Sequence, residues 1–235
     1  MNLERIYKTF IHNEAVFRIC CDCYDTVTLE IKRQRKILED YIRQHPEFQH
    51  SLKPIELQLD APDVAQRMAH AAALVGVGPM AAVAGVMAQL AAEAGLKAGA
   101  KEAIVENGGD IYLQTIEPVV IGLFSGGSAK INHLAFELKP DDTPISICSS
   151  SGKMGHSMSL GQCDLATVVS KDAALADAAA TQAANLVREI EDVETTLNRI
   201  AMIEAIDGVL IVKNGNIGLA GNLPPLVKSS SEQTY

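Results

Sequence analysis

An alanine-rich helical pattern begins near residue 172, and inside it the run Leu175-Ala176-Asp177-Ala178-Ala179-Ala180-Thr181 carries only two polar side chains. Small side chains let such a helix lie close against its neighbours. Asp177 and Thr181 are four residues apart and therefore share one face. A carboxylate and a hydroxyl stacked on one face are hard oxygen donors of the kind magnesium prefers. A polar stripe on a surface helix is the plainer account of the same pair. A second constraint is Val105-Glu106-Asn107-Gly108-Gly109-Asp110-Ile111, read as a strand over residues 103–105 running into a turn. Gly108 and Gly109 allow positive φ there, and Asn107 and Asp110 flank them with polar side chains.

The length of 235 residues is enough to bury a proper core, and residues 1–228 read as a single domain followed by a disordered tail, 229–235. A net charge of −9 argues against a nucleic-acid binder, which needs a basic surface to displace counterions. No apolar run reaches the roughly 20 residues that span a bilayer, and the first 14 residues lack a signal-peptide layout. A cytoplasmic protein without a membrane partner is expected. Five cysteines, an odd number, speak against a disulfide framework. Alternation along a strand over 15–23 places Phe17, Ile19, Cys21 and Cys23 on a buried face, with Cys20 opposite and more accessible.

Along the chain, helices are expected over 27–44, 63–75, 80–94 and, as one long element, 172–198. The break at Gly76-Val77-Gly78-Pro79 separates the second from the third, with Pro79 in the first turn. Extended segments are expected over 55–59, 118–124, 135–138, 145–148 and 165–169. Residues 209–212 and 217–220 flank Asn214-Gly215 as a hairpin. Ser149 to Ser157 reads as a polar loop, and its Gly152-Lys153 lacks the spacing of a Walker loop. The fold class that follows is α+β, with mixed or antiparallel sheets and Ala-rich helices packed around them.

The stretch Asn107-Gly108-Gly109-Asp110-Ile111 resembles the glycine-rich turn of ApbE-type flavin transferases. Leu165-Ala166-Thr167-Val168-Val169, running into Asp177-Ala178-Ala179-Ala180-Thr181, resembles their strand and metal-binding helix. With Gly76 to Gly85 added, the chain looks like a member of an ApbE-like family of unassigned activity, distantly related to the FAD:protein FMN transferases and found in anaerobes. The resemblance implies an ApbE-like fold. It also implies Asp177 and Thr181 as magnesium ligands, joined by a backbone carbonyl near Gly76 to Gly78. Asn107, Gly108, Gly109 and Asp110 would line a nucleotide site. Ser151-Gly152 resembles the pair that begins the active-site hairpin of those enzymes, and His156 is the nearby histidine that could match their catalytic one.

In the transferases that histidine leads into Asp-Pro-x-Thr-Gly, whereas Ser157-Met158-Ser159-Leu160-Gly161 follows His156 here. Binding of FAD, FMN or a related nucleotide with magnesium is therefore expected, and flavin transfer is not. The alternative is a noncatalytic accessory protein in anaerobic sulfur assimilation, from sulfide to homocysteine. A homo-oligomer is compatible with either reading.

Overall fold

Strand segments such as Ile145-Ser146-Ile147-Cys148 and Val209-Leu210-Ile211-Val212 are apolar with little alternation, which suits strands covered on both faces. The computed structural model describes residues 5–124, 133–152 and 161–228. His156, the loop around Ser125–Ser128 and the tail 229–235 lie outside the described residues. Eleven strands are present among the described residues. Eight form one antiparallel sheet: β1 Lys8–His12, β2 Ala15–Cys21, β3 Ala103–Asn107, β4 Asp110–Gln114, β7 Ile145–Ser150, β8 Leu165–Ser170, β9 Ile206–Lys213 and β10 Asn216–Gly221, in that spatial order. Three more, β5 Val119–Gly122, β6 Leu134–Leu138 and β11 Leu226–Lys228, form a small sheet in the order β11-β6-β5.

The large sheet is the middle layer. One face carries Phe17, Ile19, Val105, Tyr112, Val168 and Ile211 beneath the helices. These are α1 Tyr24–Gln44, α2 Glu47–His50, α3 Asp63–Val75, α4 Val83–Lys97, α5 Ala173–Leu186 and α6 Asp192–Ala201. The other face carries Ile104, Leu113, Ile147, Val169 and Leu210 against Ile121, Phe136 and Leu138 of the small sheet. This is the expected α+β architecture. In α5, Ala173 to Ala180 are all buried, because methyl-sized side chains let the helix sit between α3, α4 and the sheet.

Four expectations need correction. The helix over 172–198 is two helices: the Val187 carbonyl accepts the Gln162 N–H at 2.9 Å, and the Asp192 carboxylate caps the Arg188 and Glu189 N–H groups, so the helical ladder stops at Leu186. The Gly108-Gly109 turn is followed directly by β4, and β1 adds a hairpin ahead of β2. Residues 55–59 form no strand, and the third helix starts with a 3₁₀ turn, Pro79–Ala82, before α4. Cys20 is not the accessible thiol, because the small sheet covers its face; Cys21 and Cys23, at the end of β2 and beyond it, are half-buried instead.

Pro79–Lys97 is long and apolar enough to cross a bilayer by length and composition, but Val86, Met87, Ala88, Ala91 and Ala92 of that stretch are core residues. All five cysteines are free, and burial pushes the Cys20 thiol up to about 11. With a thiol probe near pH 7.5, native protein should label at Cys23 and, more slowly, at Cys21, whose pKa burial also raises. Cys20, Cys148 and Cys163 should label only after unfolding, as peptide mass mapping would read. Rapid native labelling of Cys20 would contradict the burial described.

Candidate functional site

The hairpin tip, the start of α4 and the middle of α5 converge on the helix-covered face of the large sheet. Gly108 (φ +65°) and Gly109 (φ +106°) close a two-residue loop between the paired residues Asn107 and Asp110. Positive φ at both centres is the geometry whose twist matches antiparallel strands, and it strongly favours glycine. Asn107 and Asp110 stand directly opposite one another, so their side chains leave the same face. The Asn107 amide donates to the Ala84 carbonyl at 3.2 Å and ties the hairpin to the first turn of α4. Asp110 is buried, and its Oδ1 accepts the Ser149 N–H of β7 at 3.2 Å.

Helix α5 crosses α4 at Gly85. A Cβ there would lie 2.2 Å from the Ala173 carbonyl oxygen and 2.9 Å from the Asp177 Cβ. Only glycine permits this approach. It lets the Gly85 N–H donate to Asp177 Oδ2 at 2.9 Å. Gly85 lies in the first turn of α4, where an α-helix leaves N–H groups unpaired and the macrodipole favours a carboxylate. Asp177 thus caps α4 from another helix.

Burial nonetheless dominates the electrostatics of the site. Desolvation pushes Asp177 up to about 7 against the opposing effect of the Gly85 and Ala84 N–H groups. Asp110 is raised further, by burial first and then by the charge of Asp177, with the Ser149 N–H working the other way. The Cys148 thiol, fully buried, reaches both the Ala173 carbonyl at 3.6 Å and the Asp110 carboxylate, and burial lifts its pKa well above the usual thiol range. Neither aspartate forms a salt bridge with a Lys or Arg among the described residues.

Asn107, Gly108, Gly109, Asp110 and Asp177 are therefore brought together. Thr181, one turn along α5, is half-buried, and its hydroxyl makes no hydrogen bond within the described residues. Ser151 and Gly152 continue beyond β7, where the Gly152 N–H donates to the Cys163 carbonyl at 2.9 Å. Neighbouring Gly161 packs its backbone on Ala184 of α5, seven residues beyond Asp177 and so about 10 Å along the helix. Gly76, the left-handed cap of α3, leads through Val77 and Gly78 into the 3₁₀ turn that packs on α5. Sequence reasoning missed Gly85, Cys148 and Ser149 as members of this site. A glycine inside an apolar helical run was the available signal for the first. Cys148 and Ser149 gave none, because strand pairing alone brings them to Asp110.

Among the described residues no three His, Cys, Asp or Glu side chains gather as a metal centre. What α5 offers is an oxygen set, the Asp177 carboxylate and the Thr181 hydroxyl, beside a second buried carboxylate. That donor chemistry fits a hard divalent cation that keeps several waters.

A family model described as "AbpE bacteria" matches residues 20–215. The chain belongs to that ApbE-like family. A UPF0280 protein of Methanocella arvoryzae is 41% identical over 221 residues, covering 94% of this chain and 87% of that one. A UPF0280 protein of Archaeoglobus fulgidus is 41% identical over 214 residues, covering 89% and 88%. Among solved structures, the flavin transferase ApbE from Vibrio cholerae superimposes with a TM-score of 0.54 at 14% identity, over 93% of this chain and 97% of that one. The apo flavinyl transferase ApbE of Pseudomonas stutzeri gives 0.56 at 11% identity, over 94% and 96%. At such identities the likeness is one of fold. The ApbE-like fold expected from the sequence is the fold this family member has.

The acid pair makes a pH prediction whose sign is fixed. Asp177 has a folded-state pKa near 7, against about 3.9 unfolded, so the native chain holds the extra proton between those values. In metal-free buffer the stability this provides is complete below about pH 4 and is lost as pH rises towards 7, an effect of a few kcal/mol at most. Asp110 shifts in the same direction. Urea unfolding in EDTA should show stability falling from pH 5 to pH 8 with a shallower slope in Asp177→Asn, which is expected to be the more stable protein at pH 8. Parallel profiles for the two proteins would contradict the assignment.

Proposed function

We propose that this family member binds a flavin nucleotide, FAD or FMN, or a closely related nucleotide, together with magnesium, where the Gly108-Gly109 hairpin, the start of α4 and α5 converge. Asp177 and Thr181 would hold the cation, with a backbone carbonyl from the segment leading into α4. Bound magnesium would supply neutralisation of phosphate charge. The single observation that carries this reading is the pair of buried carboxylates, Asp110 and Asp177, pushed towards the neutral form by burial with no Lys or Arg paired to them among the described residues. Two desolvated acids facing one another cost stability unless a proton or a cation compensates them.

Each of the chain's own groups then has a distinct part. Gly108 is exposed at the tip of the hairpin, so its backbone can approach a ligand phosphate without an intervening side chain. Asn107 ties the hairpin to α4 through one amide N–H on the Ala84 carbonyl, which leaves its second N–H and its Oδ1 for a ligand. Asp110 holds a proton when the cation is absent and adds negative charge to the cation's surroundings when it is present. Ser151 and Gly152 would meet the ligand further along α5, beside Gly161 and Ala184. His156 follows Gly152 by four residues in the sequence, and the segment after it lacks the acidic Asp-Pro-x-Thr-Gly pattern, so the proposal is ligand binding without flavin transfer. Residues 1–228 act in this reading as one domain located in the cytoplasm, with a small-molecule partner and no nucleic acid.

Calorimetry of purified protein with FAD, with and without magnesium, tests this. Wild-type protein should bind FAD in a magnesium-dependent manner, and Asp177→Ala should weaken that binding at least about tenfold through loss of a charged ligand. Circular dichroism should show the variant folded. Equal binding by wild type and Asp177→Ala would remove Asp177 from the site. The absence of binding by wild-type protein to FAD and FMN alike would overturn the proposal itself.

A further inference from the structure

We propose that Gln89 is a positioning residue for the cation site, acting through Ala173 to set where Asp177 stands; the inference rests on the metal-binding reading above. Gln89 lies one turn beyond Gly85 on α4, so the two face α5 together. Its Oε1 accepts the N–H of Ala173 at 2.9 Å, the first residue of α5. Its Nε2 donates to Glu93 Oε1 at 2.8 Å, one further turn along. These contacts fix which way the amide points: an N–H needs the oxygen and a carboxylate needs the NH₂.

Ala173 is the residue whose carbonyl oxygen lies against Gly85 and receives the Cys148 thiol. Asp177 is one turn further on. The crossing of α4 over α5 is thus pinned twice, at Gly85 N–H to Asp177 and at Gln89 Oε1 to Ala173 N–H, with the near-contact of Gly85 between them. Two pins define a direction where one would leave a pivot. With Gln89 gone, α5 is free to rotate or slide by a few tenths of an ångström about Gly85. Asp177 and Thr181, both carried on α5, would then shift together relative to Asp110 and to the backbone segment leading into α4, the fixed side of the cation site. Glu93, in turn, is held by Arg67 of α3, whose Nη1 lies 3.4 Å from Oε2, and Arg67 pairs with Asp63 at 3.0 Å. The amide of Gln89 is therefore the inner end of a polar seam that crosses from α3 through α4 to α5.

The test uses magnesium and manganese titrations of the full chain by calorimetry, with the metal-free melting temperature measured beside each. Gln89→Met keeps the length and removes both hydrogen bonds; its cation affinity should fall by about fivefold or more, the equivalent of roughly one hydrogen bond. The charge-neutral exchange Gln89→Glu with Glu93→Gln keeps an acceptor for the Ala173 N–H and rebuilds the bond between positions 89 and 93 with donor and acceptor reversed, and should restore affinity to within about twofold of wild type. Glu93→Gln alone leaves Gln89 an acceptor and weakens the Arg67 pair, so it should lower the melting temperature and leave affinity near wild type. If Gln89→Met lowers the melting temperature but binds the cation as wild type does, or if the exchange fails to restore affinity, Gln89 is a packing residue only and the proposal is overturned. Should Gln89→Met fail to fold, Gln89→Ala, which also removes both bonds, is titrated in its place with the same expected loss, and wild-type affinity in that variant overturns the proposal. If wild-type protein binds neither cation, it is the metal-binding reading that fails.

Discussion

The close crossing of α4 and α5 at Gly85 is the contact on which the rest of the site depends. It brings an N–H of the first turn of α4 to 2.9 Å from a carboxylate that belongs to another helix. The stabilisation is ordinary: a charge-assisted hydrogen bond at a helix N-terminus. Its consequence is less ordinary, because it holds Asp177 inside the protein, where desolvation outweighs the N–H groups that favour its charge. The β3–β4 hairpin then delivers Asp110 to the same place, where burial and then the charge of Asp177 make it harder to ionise. One helix contact thereby sets both where the two acids stand and how hard they are to ionise.

That contact follows from composition at a few positions. Ala173, Ala174, Ala176 and Ala178 to Ala180 keep α5 thin enough to be buried along most of its length. Gly85 removes the one side chain that would separate it from α4. The three-layer arrangement supplies the rest, since a sheet covered by helices on one face and by β5, β6 and β11 on the other gives a rigid base on which Asp110 and Cys148 stand side by side. Binding groups mounted on strands and buried helices hold their spacing better than groups on loops.

Much of this was legible in the sequence where local chemistry is strong. The helix over Asp63–Val75, the Pro79 start, the Asn214-Gly215 hairpin and the Gly108-Gly109 turn follow from capping, proline and glycine rules and appear in place. The shared face of Asp177 and Thr181 follows from helical periodicity alone. What the sequence concealed was non-local. The break after Leu186 has no proline or glycine to mark it and arises from the Gln162–Val187 pairing and the Asp192 cap. Cys20 was misplaced because alternation distinguishes two faces and cannot say that a second sheet covers the outer one. The bond from the Asn107 amide to the Ala84 carbonyl joins residues 23 apart and could not be read from the sequence.

Location of a cation in crystals provides the most direct test of the central claim. Manganese accepts the same hard oxygen donors as magnesium and scatters anomalously, so crystals grown with it at pH 8 report its position without assumption. The account predicts an anomalous peak within about 2.0–2.3 Å of an Asp177 carboxylate oxygen, with the Thr181 hydroxyl in the same coordination sphere. A well-ordered map with no peak there, and Asp177 still engaged only by the Gly85 N–H, would contradict it.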